Sequence, residues 1–334
     1  GLVDSIVQRI VTGGILPGVS AAGIRVVSQP TATVAPMDTR PLPPFGPVLT
    51  AVLTPFDENG AVDYGVFWKL IRHLADNGSD GVVVTGTTGE SPTLSRPEKI
   101  ALYKAAVEAA GDRMKVIAGT GTYNTAESIT LSEQAASLGV HGIMAVTPYY
   151  SKPPQQGLVR HFTAIADATD LPLMLYNIPG RTSCLIEVPT LVELAAHDKI
   201  VAVKDAVGDH DYTSNAIGQL PEGFAVYSGD DARTKDIVYA GGVGVVSVAA
   251  HFVGNQIQRL IASVIDENHD EANRIQEALS PIFKALFLEP SPMPLKAGMA
   301  ALWESVGEPR LPLVPASADT VEQVKAGFEA AQEV

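Results

Sequence analysis

Lysine, tyrosine, threonine and arginine recur in this chain where short apolar runs end, and these residue types together suit amine chemistry on a carbonyl group. Lys204 closes the run Ile200-Val201-Ala202-Val203-Lys204-Asp205. Burial disfavours the ammonium form of a lysine, and the neutral amine is a nucleophile toward carbonyl carbon. Taken alone, a strand-end lysine more simply pairs with a carboxylate such as the adjacent Asp205. Other runs end in Gly86-Thr87-Thr88-Gly89-Glu90-Ser91, Thr147-Pro148-Tyr149-Tyr150, Tyr176-Asn177-Ile178-Pro179-Gly180-Arg181 and Ser228-Gly229-Asp230-Asp231. Each has a plain reading by itself: tyrosine is common at strand rims, Thr-Thr-Gly makes a turn, and Arg181 suits a surface ion pair. Together they fit imine chemistry. A neutral Lys204 attacks the ketone of a 2-oxo acid, loses water and leaves a protonated Schiff base, an electron sink that acidifies the neighbouring methyl group and yields an enamine. Each step moves a proton, so Tyr176 is the expected shuttle, with Thr87 and Tyr150 holding its phenol and connecting it to solvent. The Thr88 hydroxyl and nearby backbone N–H groups suit the keto acid's carboxylate, and Arg181 offers a planar fork to a second one.

Such residues converge only if the runs that carry them share one end of a sheet. From Gly46 onward short β-branched runs alternate with longer amphipathic stretches. The pattern predicts strands at Val48–Leu53, Gly81–Val84, Val116–Ala118, Gly142–Val146, Leu173–Tyr176, Ile200–Val203, Ala225–Tyr227 and Gly244–Val248. Ser95-Arg96-Pro97-Glu98 has the form of a capping box with proline in the first turn, leading into Lys99–Ala110, and Asn124-Thr125-Ala126-Glu127 opens a helix that ends near Gly139. Eight β-then-α units imply a parallel sheet, and eight is the number that closes a (β/α)8 TIM barrel, an α/β fold whose active site lies at the C-terminal strand ends. The competitor is a doubly wound open sheet, which usually carries a glycine-rich phosphate turn after its first strand. Thr54-Pro55-Phe56-Asp57 stands there instead. Apolar spacing in Ile275–Phe287 and Thr320–Ala331 predicts a C-terminal helical appendage.

The expected organisation is therefore an N-terminal extension over residues 1–45, a catalytic barrel over 46–254 and a helical region over 255–334. Up to Pro36 the extension holds Arg9 and Arg25 against one acid, Asp4, in an otherwise acidic chain. It reads as a flexible or non-native leader, as a targeting segment, or as translation upstream of Met37. Pro41-Leu42-Pro43-Pro44 reads as a stiff linker. A formal net charge of −14 argues against nucleic-acid or anionic-membrane surfaces. Cys184 is the only cysteine, so no intrachain disulfide forms and a reducing, cytoplasmic setting is expected. The seven histidines are scattered and no metal-ligand spacing is present. No metal or organic cofactor is called for, because the lysine itself supplies the electrophilic centre.

The five motifs above, with Leu175-Tyr176-Asn177-Ile178-Pro179-Gly180-Arg181-Thr182 and Val203-Lys204-Asp205 in order and spacing, resemble the dihydrodipicolinate synthase family from about Gly46 to the C-terminus. The resemblance implies a lyase of the diaminopimelate and lysine pathway that condenses pyruvate with aspartate 4-semialdehyde. It puts the Schiff-base lysine on Lys204, the shuttle on Tyr176, and the rest of the proton relay on Thr87 and Tyr150. It gives Thr88 the pyruvate carboxylate and Arg181 the semialdehyde carboxylate, with Gly229 and Val246 lining the pyruvate pocket. It also implies a homo-oligomer, a dimer or a dimer of dimers, in which the second tyrosine crosses into the partner's site. Many members are inhibited by lysine through polar and histidine side chains at the dimer interface. Pro92, Arg96, Lys99 and Tyr123 stand at those positions here, beside the retained Glu127 and Tyr149, and the added positive charge predicts weak lysine inhibition. Two other readings are a different pyruvate-dependent aldolase of the same superfamily, such as an N-acetylneuraminate or 2-keto-3-deoxy-sugar-acid lyase, and an inactive paralogue acting as a scaffold.

Overall fold

The computed structural model describes residues 40–334, so the leader's first 39 positions lie outside the described residues. Eight strands close into a parallel barrel, each paired with its neighbours in sequence order and β1 with β8. They are β1 Val48–Ala51, β2 Gly81–Val84, β3 Lys115–Gly119, β4 Gly142–Val146, β5 Leu173–Asn177, β6 Ile200–Asp205, β7 Ala225–Ser228 and β8 Gly244–Ser247. Strands of a closed barrel are covered on both faces, which is why they read as continuous Val/Ile/Leu runs rather than as alternating patterns. Every residue of β1, β2 and β8 is buried. The sequence pattern predicted all eight, erring by a residue or two at their ends. One difference matters: β6 runs on through Lys204 to Asp205, so Lys204 lies inside the ladder, paired across to Tyr176 on β5 and to Tyr227 on β7.

Helices α1 Tyr64–Asp76, α2 Arg96–Ala110, α3 Thr125–Ser137, α4 Gln155–Asp167, α5 Val188–Ala195, α6 His210–Ile217, α7 Thr234–Tyr239 and α8 Ala250–Ile265 follow the strands in turn. Helix α2 begins with the capping box anticipated from Ser95 and Glu98, and the Asn124 side chain caps α3 by accepting from the Glu127 N–H. On the barrel side of α1, Phe67, Leu70, Ile71 and Leu74 are buried, each worth about 1.5–3 kcal/mol relative to exposure. Among the described residues no helix is long and apolar enough to cross a membrane.

Residues before the expected start of the barrel pack against it. Phe45 is 2% exposed and belongs to the inner cluster with Leu49, Ile117 and Met144. Its ring sits against Gly142, where an added Cβ would come within 2.7 Å of it. Arg40 donates to the carbonyls of Val238 (2.6 Å) and Gly242 (2.9 Å). Residues 40–45 therefore pack on the barrel instead of standing outside it. At the other end, α8 is kinked at Val253 (φ −133°, ψ 32°), beside the expected boundary, and α9 His269–Ala285, α10 Met293–Leu302 and α11 Ala318–Ala331 follow it. Gly327 lets α9 and α11 approach closely, since a Cβ there would lie 2.8 Å from Ile282 Cα.

Candidate active site

The chemistry-bearing residues gather at the C-terminal end of the barrel, and strand register accounts for the central pair. Because Tyr176 and Lys204 are direct neighbours on β5 and β6, both side chains leave the sheet on the same face. Lys204 is 5% exposed, and its Nζ lies 4.1 Å from the centre of the Tyr176 ring. The plain reading of Lys204 as the partner of Asp205 does not hold. The Asp205 carboxylate accepts instead from the Thr213 hydroxyl (2.7 Å) and the Val207 N–H (2.9 Å), and burial raises its pKa. The ion pairs among the described residues do not include Lys204. An amine without a carboxylate partner, seated on a ring face, remains available to a substrate.

Two cavities open at this end of the barrel. One, of about 250 Å3, has Thr87, Ser91, Tyr149, Tyr176 and Arg181 in its walls. The other, of about 1170 Å3, opens between the barrel rim and α9 and α11, with Arg181, Gly229 and Lys284 in its walls. Arg181 and Ile178 border both. Gly229 covers the lysine stem: a Cβ on it would come within 3.2 Å of Lys204 Cε. Val246 lies below, in the inner cluster that also holds Tyr176.

The predicted residues divide accordingly. Lys204, Tyr176, Thr87, Arg181 and Gly229 converge, and Val246 lies in the packed layer beneath them. Thr88 is buried in the turn, outside both cavity walls. Tyr150 does not reach the site of its own chain: it is 92% exposed, with a left-handed backbone at φ 69°. Tyr149 takes the wall position, its ring edge-on to Tyr123 at 5.0 Å. Lys99 is buried beside Glu127; burial lowers its pKa and the carboxylate opposes that shift.

Sequence reasoning passed over the residues that hold the Thr87-Thr88 turn. Thr85 and Glu90 bracket it, both left-handed at φ 57°. The Thr85 hydroxyl lies 3.0 Å from the Gly119 carbonyl and from the Tyr103 hydroxyl. The Glu90 carboxylate forms a buried pair with Lys296 Nζ at 2.7 Å. One signal was present in the sequence, a lone lysine in the apolar stretch Met293-Pro294-Leu295-Lys296-Ala297-Gly298-Met299. Asp231 serves β8 in the same supporting way, accepting from the Ser247 hydroxyl and from the N–H groups of Val248 (3.0 Å) and Ala249 (2.9 Å). Among the described residues no group of three or more His, Cys, Asp or Glu side chains is placed to hold a metal ion.

Known proteins resemble this chain over most of its length. The sequence model of the Dihydrodipicolinate synthetase family matches residues 44–331. The chain belongs to that family. The 4-hydroxy-tetrahydrodipicolinate synthase of Synechococcus elongatus is 50% identical over 277 residues, 83% of this chain and 93% of the relative. That of Heliobacterium modesticaldum is 50% identical over 273 residues, 82% of this chain and 91% of the relative. Among solved structures, the dihydrodipicolinate synthase of Cyanidioschyzon merolae with lysine bound superposes with a TM-score of 0.85 at 44% identity, covering 87% of this chain and 99% of the other. The Bacillus anthracis enzyme gives 0.83 at 44% identity, over 85% and 98%. The match beginning at residue 44 takes in Phe45, as the packing does.

Proposed function

We propose that this chain is a 4-hydroxy-tetrahydrodipicolinate synthase, a lyase that joins pyruvate, as a lysine-bound enamine, to L-aspartate 4-semialdehyde in the diaminopimelate and lysine pathway. The observation that carries the reading is the Lys204 amine, buried, without a carboxylate partner and seated on Tyr176, whose cavity also has Arg181 in its wall. Lys204 Nζ bonds to pyruvate C2 as water leaves. A proton is lost from C3, and the enamine carbon then attacks the aldehyde of the second substrate. Tyr176, whose ring faces the amine, supplies the phenol for these transfers, Thr87 stands in the same cavity wall, and Thr88 with the adjoining backbone receives the pyruvate carboxylate. Arg181 binds the semialdehyde carboxylate, while Gly229 and Val246 shape the pyruvate end. A sugar-acid lyase of the same superfamily would share the lysine and tyrosine. The presence of Thr87 and Arg181 in one small cavity supports the short, carboxylate-bearing semialdehyde.

Tyr150, exposed on the single chain, supports an assembly in which it completes the relay of a second copy, as a dimer or a dimer of dimers. The lone buried Cys184 fits a reducing, cytoplasmic setting. The test is borohydride trapping with pyruvate. A mass adduct on Lys204 that disappears in Lys204→Ala, together with condensation activity on aspartate semialdehyde that is slowed in folded Tyr176→Phe, supports the reading. Trapping without condensation would assign the site to another pyruvate aldolase, and no adduct would overturn both enzyme readings.

A further inference from the structure

Glu90 ends the turn that carries Thr87 and Thr88, and its side chain points away from the cavity into a buried ionic cluster. The Glu90 and Lys296 side chains are 1% and 2% exposed. Lys296 Nζ stands 2.7 Å from Glu90 Oε1, donates to the Glu308 carbonyl at 3.3 Å, and lies 4.0 Å from the centre of the Phe56 ring. Glu90 Oε2 accepts from the Arg310 backbone N–H at 2.8 Å. The Arg310 guanidinium covers the same ring at 4.3 Å, donates to the carbonyls of Thr93 (2.8 Å) and Gly60 (2.9 Å), and grips both oxygens of Glu98. The C-terminal segment thus holds the turn and the start of α2 from behind.

Packing alone does not call for this arrangement. A buried ion pair desolvates two charges, and an apolar pair of similar volume often folds as well or better. The turn, by contrast, needs an anchor. Its own backbone bonds, Glu90 N–H to Thr87 O (3.0 Å) and Ser91 N–H to Gly86 O (3.3 Å), close it, but its last residue is held in a left-handed conformation that a glutamate rarely adopts. Thr88 is two residues from Glu90, and its own side chain has no hydrogen bond among those of the described residues. The buried Thr54 hydroxyl donates to the Gly89 carbonyl at 2.7 Å, and the carboxylate of Glu90 is the charged anchor that ties the turn to α10.

We propose that the Glu90–Lys296 ion pair is a positioning device, fixing the Thr87-Thr88 turn so that capture of the pyruvate carboxylate depends on helix α10. The inference rests on the reading of Thr88 and its adjoining N–H groups as the carboxylate site. It predicts a specific defect. Without the pair the turn relaxes, pyruvate binds weakly, and the semialdehyde side of the site is spared.

The test compares Lys296→Met, Glu90→Gln and the double variant, each with both Michaelis constants and thermal unfolding measured on the full chain. The double variant carries no buried charge, so it decides the matter should a single variant fail to fold. The expected result is a pyruvate KM raised about tenfold or more while the semialdehyde KM stays within about twofold. The double variant should recover thermal stability without recovering pyruvate affinity, and borohydride with saturating pyruvate should still label Lys204. A merely structural pair gives the opposite outcome: the double variant restores the wild-type pyruvate KM along with stability, which overturns the proposal. Thr88→Val separates the two claims. A raised pyruvate KM there, with wild-type values in the pair variants, removes the positioning role alone. An unchanged pyruvate KM in Thr88→Val overturns the carboxylate assignment and the route through Thr88 with it.

Discussion

Gly229→Ala adds one methyl group at the place where β7 meets the reactive lysine, and its consequences follow from three distances. The new Cβ would lie 2.7 Å from Ala206 Cβ, 3.1 Å from the Asp205 carbonyl oxygen and 3.2 Å from Lys204 Cε. Carbon atoms at optimal contact stand about 3.5–4.0 Å apart, so the overlap with Ala206 approaches 1 Å. The Asp205 side cannot retreat freely, because the Gly229 N–H donates to that carbonyl at 2.7 Å. Relief has to come from Ala206 and from the Lys204 stem. Overpacking of this kind typically costs about 1–3 kcal/mol of stability. Displacing a reacting group by as much as 1 Å can cost on the order of a hundredfold in rate. The expected result is imine formation slowed about 10- to 100-fold, with a modest fall in thermal stability, read as the rate of borohydride-trapped pyruvate on Lys204. Gly180→Ala is the control, since nothing lies within 4 Å of its added Cβ and it should trap pyruvate like the wild type. Trapping in Gly229→Ala at the wild-type rate, with an unchanged melting temperature, would show that the lysine stem is not confined by this glycine.

L-Lysine at millimolar concentration should leave steady-state turnover little changed, because Arg96 and the buried Lys99 amine, which feels the Glu127 carboxylate, already occupy the positions where the added cation would sit; strong inhibition by micromolar lysine would refute that reading. Arg181→Ala should raise the semialdehyde KM while sparing pyruvate trapping, and an unchanged semialdehyde dependence would remove Arg181 from the second carboxylate. Stability should also respond to acid through His161, whose pKa burial depresses to about 4. A histidine kept neutral by the fold contributes stability above its unfolded pKa near 6.5 and loses it as pH falls toward 4, by about 3 kcal/mol in all. Asp205 and Asp231, whose pKa values burial raises, act in the opposite sense at acid pH, so the informative quantity is a difference. The stability lost between pH 6.5 and 4.5 should be smaller in His161→Gln than in wild type, and equal losses in denaturant titrations would refute the assignment.

The strands were legible because a closed parallel barrel buries both faces of each one, which leaves runs such as Gly81-Val82-Val83-Val84 with little polar interruption. Capping residues marked the starts of α2 and α3 for an equally local reason, as side-chain hydrogen bonds to the first turn depend on residues three apart. Lys204 and Tyr176 stood out because their positions at run ends imply a shared face once the strands are neighbours. The boundaries were harder to read. Pro41-Leu42-Pro43-Pro44 has the composition of a linker, and nothing local reveals that the next residue, Phe45, fills the barrel floor against Gly142.

Tyr149 and Tyr150 are alike in sequence, and only the backbone turn with its left-handed Tyr150 sends one ring into the cavity wall and the other to the surface. The partner of Glu90 lies 206 positions away at Lys296, and that of Glu98 lies 212 away at Arg310. The sequence by itself determined the strands, the helix starts and which residues could perform carbonyl chemistry, since those depend on short-range pattern and intrinsic reactivity. Tertiary structure alone decided that Asp205 turns away from Lys204, that Gly229 roofs it, and that the C-terminal helices brace the Thr87-Thr88 turn. Contacts between distant segments depend on how the whole barrel closes, and no local pattern encodes that.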